Sequence, residues 1–257
     1  MIVTGVDRSA LETKVKSMYS DVAVNPRGEF HFEMGRAMAE RLGYSRGDLD
    51  RIPQDAIESF AGVGHFFHLA TLTDGEHVLD LGSGSGMDSF IAALRVGTTG
   101  RVVGVDMTDA QLAKAERLAA AHGVRNVSYR KAYIDATDLD GESFDCVISN
   151  GVINLAADKP RVFSEAARVL KRGGRLAIAD IVTETPLPEN VVCNADLWAA
   201  CIGGAAQRDN YRAAIENAGF NIERIEENSG YHFISDRAQK ATARWGVKSV
   251  SILARKS

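Results

Sequence analysis

The chain has 257 residues, 45% of them hydrophobic, 25% charged and 7% aromatic, with a formal net charge of −4. That composition excludes a disordered, collagen-like or coiled-coil chain, and the length suits one large domain able to bury a full core. The slight acidity argues against a dedicated nucleic-acid binder, and no apolar run approaches the roughly 20 residues that span a bilayer.

In chain order, Ser9 with Glu12 three residues on reads as a capping box for a helix over Ala10 to Met18. A second helix is expected from about Phe32 to Leu42, stopped by Gly43. Residues 1–75 therefore read as a helical lid segment ahead of a main domain over 76–257. At His77 the grammar changes. His77 to Leu81 is a short apolar strand that stops at a glycine cluster, and Met87 to Leu94 is a helix. Arg101 to Asp106 is a second strand. Thr108 with Gln111 suggests a capping box for a helix through His122, closed by Gly123. Val127 to Arg130, Asp145 to Ser149 and Arg175 to Ile181 are further strands. A helix from Lys159 to Leu170 lies behind Asp158 and ends at Gly173-Gly174. Val191 to Ile202 and Tyr211 to Ala218 read as helices, with insertions on the substrate side around 185–210. Phe220 to Ile225 and Val247 to Ala254 are the last two strands, an antiparallel edge pair.

Strands that are continuous apolar runs, alternating with helices at the spacing of right-handed βαβ units, predict a mostly parallel sheet covered on both faces. The fold class is α/β: a doubly wound, seven-stranded sheet with N-terminal helical additions. Three cysteines, Cys146, Cys193 and Cys201, are too few and odd for a disulfide framework. With a start, Met1 to Arg8, that lacks the basic and apolar regions of a signal peptide, they predict a cytoplasmic protein.

Asp80-Leu81-Gly82-Ser83-Gly84-Ser85-Gly86 carries most of the chemistry. It joins the first strand to the first helix, where a doubly wound sheet takes its ligand. Glycines let backbone approach that ligand closely, and the helix start offers free N–H groups. A G-x-G-x-x-G dinucleotide fingerprint does not fit, because its third glycine would fall at Met87 or Ser89. Asp106 follows Gly86 by 20 residues and can accept both hydroxyls of a ribose. The pattern predicts a nucleoside-type cofactor.

These residues resemble the class I S-adenosylmethionine-dependent methyltransferases over about residues 75 to 182. The resemblance implies S-adenosyl-L-methionine as cofactor, with Asp80, Gly82, Ser83, Gly84 and Gly86 around its methionine part and Asp106 on its ribose. It sets Met107 against the adenine, Ile134 and Asp135 at the adenine edge, and Asn150 near the sulfonium methyl. Ser149 to Leu155, Leu197 to Ala205 and Met18-Tyr19-Ser20 narrow the likeness to the arsenite methyltransferases, within a broader group that resembles the quinone-biosynthesis enzymes. Tyr19 falls where that family lays a tyrosine over the cofactor.

That family holds trivalent arsenic with cysteine thiolates, and here the chain departs from it. The cysteine expected between Asn150 and Val152 is Gly151, and the expected Gly-Cys-Gly is Gly62-Val63-Gly64. Cys201 remains. Cys193, eight residues earlier, lies about 12 Å away on a helix rising roughly 1.5 Å per residue, too far to share one arsenic atom. Cys146, inside a central strand, reads as a core residue. His65, His68 and His232 are candidate bases, since imidazole titrates near neutrality; His65 with Tyr19 and Cys201 form the candidate catalytic set. His65 and His68 lack a third ligand, so no metal is expected. The reading is methyl transfer to a small-molecule acceptor, with no nucleic-acid or membrane partner. An arsenic methyltransferase and a non-catalytic S-adenosylmethionine binder are the alternatives.

Overall fold

The strands form in the order in which apolar runs occur: β1 (His77–Leu81), β2 (Arg101–Asp106), β3 (Val127–Lys131), β4 (Phe144–Asn150), β5 (Leu170–Thr183), β6 (Ala206–Gln207), β7 (Phe220–Glu227) and β8 (Lys248–Lys256). The computed structural model describes residues 8–192 and 203–257. Seven strands are hydrogen-bonded in the order β3-β2-β1-β4-β5-β8-β7, and the two-residue β6 pairs with β5. All pairs are parallel except those of β8, which runs antiparallel to both β5 and β7. The last two strands thus pair with each other as expected, and β8 also inserts between β7 and the parallel strands.

Alternation along each strand explains why both faces are covered. Val78 belongs to one buried cluster, with helix α6 (Met87–Val96) and much of the front segment, while Leu79 belongs to the other, with helices α8 (Lys159–Val169) and α10 (Arg208–Asn217). The front segment contributes α1 (Arg8–Val24), α2 (Arg36–Leu42), α3 (Arg46–Leu49), α4 (Gln54–Glu58) and α5 (Phe67–Ala70). Met38, Ile57 and Phe66 lie in the same cluster as Val78, Ile91 and Cys146. Packing therefore runs across residue 75, although the type of element changes there.

Boundaries moved where tertiary contacts override local signals. Helix α1 already contains Ser9 and runs to Val24, and Glu12 bonds Lys16 and Tyr133 rather than closing a capping box. Helix α2 starts at Arg36, after Gly35, and ends at Gly43 as expected. Helix α8 stops at Val169, because Leu170 turns extended and pairs with Phe144. Helix α7 (Asp109–Ala121) does follow Thr108, but that side chain makes no capping bond. The remaining described helices are α9 (Glu189–Val192), α11 (Asp236–Trp245) and a 3-10 turn at Ile153–Leu155. The expected helix from Val191 to Ile202 falls mostly outside the described residues. No described helix is long and apolar enough to cross a membrane.

Candidate functional site

Strand order reverses at β1, whose neighbours β2 and β4 lead to opposite halves of the sheet. At the carboxyl ends of these three strands lies a cavity of about 280 Å³, where a doubly wound sheet binds ligands. The glycine loop forms its floor. The N–H groups of Gly82 and Ser83 donate to the Val105 carbonyl, at 2.8 and 2.9 Å. Gly82 has φ +73°, and a Cβ there would lie 2.5 Å from both methyls of Val152. Only glycine lets the loop pass so close to the β4 end. Gly86 ends the loop as the N-cap of α6.

Asp106 ends β2 and fastens this loop. Its Oδ2 accepts from the Gly84 N–H at 3.0 Å and its Oδ1 from the Thr108 N–H at 2.8 Å. The Thr108 side chain and the Met107 N–H also act on this carboxylate, which lines the cavity. Burial raises its pKa, opposed by the backbone N–H groups of Thr108 and Gly84. Met107, Ile134 and Asp135 make the adjacent wall. Ser83 lines the cavity with a buried hydroxyl that has no hydrogen-bond partner among the described residues. An orphaned donor, a paired diol acceptor and an apolar wall fit an S-adenosylmethionine-like nucleoside.

Beyond Asp106 lie two more carboxylates, Asp80 and Asp88, only 2% and 6% exposed. The Ser89 hydroxyl donates to Asp80 Oδ2 at 2.6 Å. Tyr44 donates its hydroxyl to Asp88 Oδ1 at 2.6 Å, and Asn150 its amide to Asp88 Oδ2 at 3.0 Å. Asn150 also accepts from Val63 N–H at 2.8 Å, tying β4 to the front segment. Tyr44 and Asp88 are the components that sequence reasoning missed. No local signal sets Asp88 apart from other acids in a helix's first turn, and its partner Tyr44 is 44 residues away.

Burial, with Asp88 beside it, raises the Asp80 carboxyl to about 8, and burial raises Asp88 to about 6. An unfolded aspartate titrates near about 4. Between those values the folded chain binds the extra proton, so stability from Asp80 is present at low pH and lost as pH rises toward 8. Calorimetric melting of the cofactor-free protein should therefore show Asp80→Asn raising Tm by at least roughly 2 °C at pH 8 and by less at pH 5. An equal change at both pH values would contradict a protonated Asp80.

The remaining wall comes from α1, through Leu11, Glu12, Val15 and Tyr19. Gln111 explains the missing capping box. Its Nε2 donates to the Tyr19 carbonyl at 2.9 Å, and its Oε1 accepts from Ser85 Oγ at 2.5 Å. Tyr133 donates to Glu12 at 2.6 Å, closing α1 over the β3–β4 connection. Six carboxylate residues line the cavity (Glu12, Asp80, Asp88, Asp106, Asp135 and Asp158), and no Lys, Arg or His does among the described residues.

Tyr19, Asp80, Gly82, Ser83, Gly84, Asp106, Met107, Ile134, Asp135 and Asn150 are thus brought together. His65 is not. Its ring meets Tyr44 edge-on at 4.7 Å and stacks on His68 at 5.3 Å, outside the lining residues. Burial, with His68 and Arg95 nearby, lowers its pKa to about 4, so the ring is uncharged at neutral pH. His68 bonds Glu226 at 2.7 Å, and His232 is exposed. Cys201 and Cys193 lie outside the described residues. Cys146 is buried in β4, where burial pushes its thiol to about 12. Among the described residues no group of three or more metal-ligating side chains converges.

The two positions at which the family resemblance expects thiols face each other. Gly151 has φ +70°, and a Cβ built there would lie 3.1 Å from Cγ1 of Val63. A side chain at position 151 would have to press against this buried methyl group.

A family model described as a methyltransferase domain matches residues 72–219. The chain is 41% identical over 199 residues to the arsenite methyltransferase of Halobacterium salinarum, covering 77% of this chain and 51% of that protein. It is 40% identical over 157 residues to the human arsenite methyltransferase, covering 58% of this chain and 42% of that one. The chain spans about half the length of the curated relatives it matches. Among solved structures, an arsenic(III) S-adenosylmethionine methyltransferase from Chlamydomonas reinhardtii superposes with TM-score 0.68 at 32% identity, over 87% of this chain and 74% of that chain. A geranyl diphosphate C-methyltransferase from Streptomyces coelicolor shares the fold, with TM-score 0.70 at 20% identity, over 96% and 98% of the two chains.

Proposed function

We propose, from the premise that this chain belongs to the S-adenosylmethionine-dependent class I methyltransferases, that it methylates a small, uncharged or cationic acceptor other than thiolate-bound arsenic. The cofactor supplies an electrophilic methyl group on a sulfonium. The chain's own task is to align donor and acceptor and to keep water out. Asp106 and the glycine loop hold the nucleoside, Met107 and Ile134 flank its base, and α1 covers it. Asn150, held by Tyr44, Asp88 and the Val63 N–H, positions the β4 end where an acceptor would enter. A cavity lined, among the described residues, by carboxylates and no cationic side chain disfavours anionic acceptors, whose charge would be left unpaired.

The observation that carries the departure from arsenic is the apposition of Gly151 and Val63. Trivalent arsenic held with its lone pair free needs two or three convergent thiolates, and here a valine and a glycine occupy two of those places. The test is incubation with S-adenosylmethionine, arsenite and glutathione, followed by speciation of methylated arsenicals. No appreciable product is expected, and Cys201→Ser should leave donor binding unchanged. Robust arsenic methylation that vanished in Cys201→Ser would overturn this reading. With donor labelled on the methyl group, label should enter the low-mass fraction of a metabolite extract and not protein or nucleic acid.

A further inference from the structure

Of the six acids around the cavity, Glu12 and Asp135 have basic partners, Lys16 at 2.6 Å and Arg161 at 3.8 Å. Asp158 caps α8 through the Arg161 N–H. Asp106 accepts from the Gly84 and Thr108 N–H groups at the ribose end of the cavity. Asp80 and Asp88 remain. Among the described residues their side-chain partners are all neutral: the Ser89 hydroxyl for Asp80, and the Tyr44 hydroxyl and Asn150 amide for Asp88. Both line the cavity and both are almost fully buried. A buried carboxylate without a counter-cation is costly. Two side by side are costlier, because each opposes the other's ionisation.

The arrangement makes sense if the missing cation arrives with the ligand. The donor carries two positive centres, a sulfonium and an ammonium; the spent product keeps the ammonium but has a neutral thioether. We propose that the Asp80–Asp88 pair reads the charge on the cofactor's sulfur, with Asp88 as the specificity-determining residue, so that the chain holds the sulfonium donor more tightly than its thioether product. Discrimination of this kind clears the product after each turnover without any change in the contacts to ribose and adenine, which both forms share. Tyr44 and Asn150 serve as positioning residues: they hold the Asp88 carboxylate toward the cavity by one hydrogen bond to each oxygen. Burial raises both carboxyls, in keeping with a pair whose ionisation a cation beside it would favour. The inference rests on the cofactor and not on the identity of the acceptor.

The test is calorimetric binding of three probes to the full chain without acceptor: S-adenosylmethionine, S-adenosylhomocysteine, and sinefungin, which carries an amine in place of the methylsulfonium. The wild type should bind the two cationic probes at least roughly tenfold more tightly than S-adenosylhomocysteine, a difference of about 1.4 kcal/mol. In Asp88→Asn the three affinities should converge to within about threefold, mainly through weaker binding of the cationic pair. Tyr44→Phe keeps the charge but releases one Asp88 oxygen, so its preference should fall between that of the wild type and that of Asp88→Asn. Should Asp88→Asn fail to fold, Asp80→Asn is expected to shrink the same ratio. Equal affinities in the wild type, or an unchanged ratio in a folded Asp88→Asn or Asp80→Asn, would overturn the proposal. A wild type that bound none of the three would remove the cofactor itself, whereas failure to find an acceptor leaves these ratios untouched.

Discussion

Replacing Asp106 with alanine is expected to weaken S-adenosylmethionine binding roughly a hundredfold while leaving the fold intact. Two hydrogen bonds from ribose hydroxyls to a carboxylate are worth about 1.5–3 kcal/mol each, and roughly 2.7 kcal/mol corresponds to two decades in affinity. The same substitution also removes the acceptor of the Gly84 and Thr108 N–H groups, which shape the loop and the start of α7. Both effects act in one direction. Asp106→Asn keeps an acceptor and the side-chain volume, so its loss should be smaller, about tenfold. Stability should change little in Asp106→Ala, because deletion also relieves the burial of a carboxyl whose pKa that burial raises. Calorimetry reads the affinities and thermal melting the fold. Unchanged affinity in Asp106→Ala would remove the ribose assignment.

Removing residues 1–28 is expected to abolish methyl transfer and still leave a folded domain. Leu11 and Val15, each 3% exposed, pack with Tyr19, Met107 and Leu155 and so close the cavity from one side. The two large buried clusters contain no residue of α1, and the first front residue in either is Met38. The sheet and its helices therefore keep their core when α1 is gone. The cavity does not keep its wall. Water reaches a site whose chemistry depends on excluding it, and Gln111 and Lys114 lose their bonds to the Tyr19 and Ala23 carbonyls. Circular dichroism and a cooperative melt would report the fold, and labelled transfer into the low-mass fraction would report turnover. A truncated chain that transferred methyl at the wild-type rate would show that α1 is not part of the active site.

Local grammar can be read straight from the order of residues: seven strands, their helices, the glycine loop, and Asp106 at the right distance after it. These are legible because each depends on a short window. Hydrophobic period, a helix stop or a tight turn is decided by neighbours a few residues away. For the same reason the arsenic-site departures at Gly151 and Val63 could be read residue by residue. Tertiary structure alone decided the rest. Asp88 acquires its character from Tyr44 and Asn150, 44 and 62 residues distant, and Gln111 leaves its capping role for Tyr19, 92 residues away. His65, a reasonable base by residue type, stacks on His68 outside the cavity. That Val63 faces Gly151 also emerges only when the front segment folds onto the end of β4. Side-chain roles of this kind depend on which elements meet at the switch point of the sheet, and burial there turns ordinary acids into groups that a local pattern cannot distinguish.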